Sequence, residues 1–218
     1  MFSTRALRTI AGLSPLRSRR ASLGLAAALA PASVLVSLCF AGSAQAALIS
    51  TGACNEAALS QPFLQWGDTS SYELVPGGDF EGSLSGWSLS GGAQRLAAGE
   101  PYEPVGSSGS LALPDGASAQ SPFVCVNASY PSFRFFARDR GLTSTVLVQV
   151  VYATVLGPVA LPLGVVALSG EWEPTLPMLT GSIAGGLLSG GTAQIALRFT
   201  ALGGSSDIDD VYVDPRMK

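Results

Sequence analysis

The chain has 218 residues, 12 Lys+Arg against 15 Asp+Glu, no histidine and only 12% charged residues, about half the usual charged share. The absence of histidine excludes Ser-His-Asp and Cys-His catalysis and histidine-ligated zinc or haem. A formal charge of −3 offers nothing to nucleic acid, and 47% apolar residues suffice for a packed core.

Residues 1–46 read as a secretory signal peptide. Arg5, Arg8, Arg17, Arg19 and Arg20 form a positive opening, Leu23 to Ala41 is largely apolar, and Ala44-Gln45-Ala46 is a small-x-small cleavage triplet. An uncleaved anchor is the competing reading, since about 20 apolar residues span a bilayer; Pro31 and the triplet favour removal. Ser18-Arg19-Arg20 carries the arginine pair of twin-arginine export, but Ser22 stands where that signal prefers a large apolar residue. Cleavage removes five arginines and leaves an acidic chain of one-domain size, exported or held at the cell surface, with no membrane segment remaining.

Two cysteines remain, Cys54 and Cys125. An even pair in an oxidising compartment reads as one disulfide, contributing roughly 4 kcal/mol on the chain-entropy estimate. It would tie residues 47–73, an N-terminal segment, to a domain spanning 74–218. If Cys125 lies on a strand, Val124 and Val126 share one face and the sulfur points to the other.

The rest reads as all-β. The segments are Ser110 to Leu113, Pro122 to Val126, Ser132 to Arg138, Thr145 to Thr154, Val159 to Leu168, Thr192 to Thr200 and Asp207 to Asp214, separated by Gly, Pro, Ser and Asp. In the third, arginines lie opposite Phe133 and Phe135; in Thr192 to Thr200, Ile195, Leu197 and Phe199 share one side and Gln194, Ala196 and Arg198 the other. Gly181 to Gly191 reads as a loop or weak hairpin, and no helical apolar stripe with caps occurs after the signal. Short strands so punctuated indicate an antiparallel sandwich or barrel.

Val75-Pro76-Gly77-Gly78-Asp79-Phe80-Glu81 with Leu84-Ser85-Gly86-Trp87, then Gly170-Glu171-Trp172, then Ile208-Asp209-Asp210-Val211-Tyr212-Val213, resemble in order and spacing the motifs of secreted galactose-binding-like jelly-roll domains. Those include carbohydrate-binding modules of families 4, 9 and 22. Gly77 departs from the pattern, which usually has asparagine there, and residues 47–73 lie outside it. The resemblance implies a jelly-roll β-sandwich with Trp87 and Trp172 in the core, and a non-catalytic module for extracellular or cell-wall glycans. A structural or adhesive surface protein contacting other proteins is the alternative. The resemblance also implies either a structural calcium held by Glu81 with Asp209 or Asp210, or the same acids capping a strand end in water. Alternation would set Asp209 and Asp210 on opposite faces, one a ligand and the other solvated.

Other chemistry is sparse. Glycoside hydrolysis needs two carboxyls across a cleft, whereas Asp79/Glu81, Glu100/Glu103, Glu171/Glu173 and Asp209/Asp210 are near neighbours that read as solvated surface charge. No Gly-x-Ser-x-Gly occurs, and the single lysine, Lys218, serves no phosphate loop. Exposed aromatic platforms for a sugar ring would be Trp66, Tyr102 and Tyr130.

Overall fold

The computed structural model describes residues 58–102, 104, 108–127, 132–141, 143–180 and 192–214. The chain divides into residues 1–42 and 43–218, and every described residue belongs to the second unit. The expected signal peptide at 1–46, Cys54, Glu103, Tyr130 and the glycine-rich 181–191 lie outside the described residues.

The described residues form thirteen strands: β1 (Glu73–Leu74), β2 (Ser88–Ser90), β3 (Gln94–Leu96), β4 (Ser110–Leu113), β5 (Ser118–Gln120), β6 (Val124–Asn127), β7 (Ser132–Asp139), β8 (Thr145–Tyr152), β9 (Val159–Ala167), β10 (Glu173–Pro174), β11 (Met178–Leu179), β12 (Thr192–Leu202) and β13 (Ser206–Asp214). One 3-10 turn, Leu64–Trp66, is the single helical element among the described residues, none of which forms a helix long and apolar enough to cross a membrane.

The strands build two antiparallel sheets. The first runs β10-β7-β13-β4-β3, with β1 on β13 and β11 on β7; the second runs β2-β5-β12-β8-β9, with β6 on β12. They face each other across one core, where Phe135 of the first meets Phe199 of the second edge-on, the ring centroids 4.9 Å apart. The period-2 patterns explain which faces meet. Phe133, Phe135 and Ala137 of β7 and Ile195, Leu197 and Phe199 of β12 are all in that core. The fold is the expected β-sandwich.

The outer face of the first sheet is covered as well. Phe63, Tyr72, Phe136, Trp172 and Tyr212 form a second buried cluster, with Trp66 and Leu74 against it. Residues 58–72 are thereby docked on the sheet. The Ser60–Tyr72 bridge closes their loop, Arg134 lies 4.2 Å from the Phe63 ring centroid, and its Nη1 donates to Asp68 Oδ2 at 2.7 Å. Burial pulls the Asp68 carboxyl upward, but hydrogen bonds from Ser70, Tyr72 and Arg134 prevail and hold it at about 2. On the outer face of the second sheet Gln120, Gln149 and Arg198 are half-buried and reach solvent.

Candidate functional site

The motif residues converge where the loop after β1 crosses β13. Gly78 donates its N–H to Val75 and accepts from Val211 N at 2.9 Å. A Cβ there would stand 2.9 Å from the carbonyl oxygens of both Val211 and Val75, so only glycine fits without a shift. Gly77 has φ +66, the left-handed region that glycine and asparagine both tolerate, which accounts for the departure at this position. Phe80 also has positive φ, places its ring 4.9 Å from that of Trp87, and turns its carbonyl to Arg95. Trp87 and Trp172 are buried, as the motifs imply.

The acids at this corner are not surface charge. Glu100, Asp209 and Asp210 are all fully buried, correcting the solvated reading for these three and the separation of Asp209 from Asp210 into one ligand and one solvated acid. The physical reason is a bulge in β13 between Asp209 and Tyr212, with Asp210 at φ +47. The extra residue breaks the alternation that would otherwise hold. Glu171 and Glu173 are exposed.

The three expected metal ligands have different partners. Glu81 accepts from Ser108 N at 2.8 Å, from Gly109 N at 3.0 Å and from the Ser108 hydroxyl, and the Ser108 bond first of all holds its carboxyl below the usual range. Asp209 accepts from Glu100 N and from Asp210 N, each at 2.9 Å. Asp210 differs: both its carboxylate oxygens are buried without a hydrogen-bond partner. Burial pushes Asp210 up to about 8, with Glu100, Asp79 and Glu81 adding to it, and pushes Asp209 up to about 9. Among the described residues no three His, Cys, Asp or Glu side chains gather as a metal cluster by themselves. A hard cation here would meet the orphaned Asp210 carboxylate within the field of several acids and would complete its shell from backbone carbonyls, which suits the chemistry of calcium.

Trp66, half-buried, and Tyr102, exposed, are brought together. Their rings meet edge-to-face at 5.1 Å, each also packs on Phe136, and the Tyr102 hydroxyl donates to the Trp172 carbonyl at 3.1 Å. Both belong to the aromatic cover of the first sheet.

A polar cleft of about 270 Å³ opens on the second sheet, lined by Ser88, Leu89, Ser90, Ser118, Gln120 and Arg198. Cross-strand register builds it. Ser88, Gln120, Arg198 and Gln149 stand opposite one another across β2, β5, β12 and β8, and Ser90, Ser118 and Thr200 form the next row. The Gln120 amide oxygen accepts from Arg198 Nε at 3.1 Å and Nη2 at 2.7 Å, fixing the guanidinium. None of these residues except Arg198, placed on the outward side of its strand, stood out in the sequence. The short strands carrying the serines have no readable pattern.

No family model and no curated protein matches this chain. Solved structures of carbohydrate-binding modules are similar to it. The N-terminal CBM22-1 and GH10 modules of a Clostridium thermocellum endo-1,4-beta-D-xylanase, complexed with xylohexaose, are 14% identical with a TM-score of 0.48, covering 63% of this chain and 27% of that one. A family 61 module in complex with beta-1,4-galactotriose is 16% identical (TM-score 0.44; 66% and 98% covered). The C-terminal family 22 module of the Clostridium thermocellum xylanase is 18% identical (TM-score 0.44; 68% and 96% covered).

Proposed function

We propose that this chain is an exported, non-catalytic module that binds extracellular or cell-wall glycans through the cleft on the second sheet. The observation that carries this reading is the cleft itself, where serine hydroxyls, a glutamine amide and a guanidinium converge. Such groups match the alternating donors and acceptors of a sugar's hydroxyls. The order of the three sequence motifs supports the same reading. The burial of Glu100, Asp209 and Asp210 away from solvent supports a role in binding rather than catalysis. Retardation of the protein in gels containing extracellular polysaccharides, weakened by Gln120→Ala, is the expected result. Free migration through every polysaccharide tested would overturn the reading.

Two structural features belong to this proposal. A calcium ion would be held at Asp210, with Glu81 alongside, and would supply the positive charge that the buried acids lack; Asp209, engaged by two backbone N–H groups, is the weaker candidate. A Cys54–Cys125 disulfide would fasten the N-terminal segment to β6. Cys125 is not a free thiol, which supports that pairing, and Val124 and Val126 face the core on either side of it. The alternative, an adhesive surface protein, has in its favour the exposed Val155 and Leu156 at the tip of the β8–β9 hairpin, with Val159 and Val165 exposed along β9. Leu156→Asp abolishing cell-surface adhesion while leaving glycan binding intact would favour it.

A further inference from the structure

Within the glycan-binding reading, on which this inference rests, the cleft's own chemistry narrows the ligand. None of the residues lining it is aromatic, so it has no ring face on which a neutral pyranose could stack. Its one charged lining group is Arg198, and among the described residues no carboxylate lies within salt-bridge distance of that guanidinium, whereas Arg134, Arg138 and Arg140 each have one. Gln120 takes the Nε–H and one N–H of Nη2 on a single oxygen, which orients the guanidinium plane and leaves the outer Nη1/Nη2 edge without an acceptor among the described residues. That edge is a two-pronged donor matched to a carboxylate. Ser88, Ser90 and Ser118 line the cleft beside it, with hydroxyls able to donate to or accept from ring hydroxyls.

We propose that the cleft selects a uronate unit, its carboxylate received by the outer edge of Arg198 and its hydroxyls by the serines. The acidic balance of the chain, 15 acids against 12 bases, opposes a dense polyanion at long range. The fitting ligand is therefore a neutral polysaccharide carrying sparse uronate groups, whose single carboxylate meets Arg198 within a Debye length.

The test compares xylan bearing glucuronate side groups with the same xylan after its carboxyls have been reduced to alcohols, by isothermal titration on the wild type, Arg198→Gln and Arg198→Lys. Reduction of the polymer should weaken wild-type binding about tenfold or more, the range of a hydrogen bond to a charged group. Arg198→Gln should bind both polymers equally, Arg198→Lys should recover only part of the preference, and added salt should weaken binding of the uronate polymer alone. Because the ligand is altered rather than the protein, the first comparison stands even if a variant folds poorly. Equal wild-type affinity for the two polymers would overturn the uronate inference and leave glycan binding intact. No binding to either of these or to any neutral polysaccharide would overturn both.

Discussion

Asp210 has two carboxylate oxygens in the interior and no N–H or O–H reaching either of them. A buried charge without a partner is among the more expensive arrangements a protein can hold. Burial first, then the neighbouring Glu100, Asp79 and Glu81, favour its neutral form. A divalent cation would reverse that balance. Millimolar calcium should raise the melting temperature, by about 2.7 kcal/mol of stability at a hundredfold excess over the dissociation constant, and a chelator should lower it. Asp210→Asn should abolish this response, whereas Asp209→Asn should disturb the backbone bond to Glu100 and leave part of it. Calorimetry with and without calcium checks the prediction, and identical melting of wild type with and without the ion would count against a cation at this corner.

At the scale of elements, the docked segment 58–72 is held by a few polar contacts around Asp68. Its folded carboxyl sits at about 2, below the ordinary aspartate value of 3.8. The stabilisation is therefore present above pH 4 and is lost as pH falls from about 4 towards 2. Trp66, packed on Phe136 and Tyr102, reports on docking. Its fluorescence should shift over that acid window in the wild type, and in Arg134→Ala it should already be shifted at neutral pH. An unchanged Trp66 environment in that variant would show that the aromatic contacts hold the segment without the ion pair. The long strands here were legible in the sequence, because β7 is rich in aromatic residues, β8 is a β-branched run and β12 alternates, and β4 matches its expected bounds. Strands of two or three residues, such as β1, β2 and β10, are too short to show a period and are fixed by their pairing partners. The site was less legible for related reasons. Trp87 and Trp172 followed from their motifs, but the burial of the Asp209–Asp210 pair depends on a bulge that no local pattern announces. That Trp66 and Tyr102 meet was not legible, because Phe136, their shared partner, is distant in sequence.

For the whole molecule, β6 extends the line of β5 along the same edge of β12, and Ser121 joins them by exchanging bonds with Leu197. A bond from Cys125 to Cys54 would fasten the N-terminal segment to this edge. Replacing Cys125 with serine should cost roughly 2 to 5 kcal/mol, read as a lower denaturant midpoint, and mass spectrometry of the unreduced protein should find the two cysteine peptides linked. Two alkylatable thiols would refute the pairing. The pairing of β1 with β13 has a different consequence. Glu73 stands opposite Val213 and Leu74 opposite Tyr212, so the backbone enters and leaves the sandwich at adjacent rungs of the first sheet, while the polar cleft lies on the second. A polymer held in the cleft, as proposed, would therefore lie across the sandwich from those rungs.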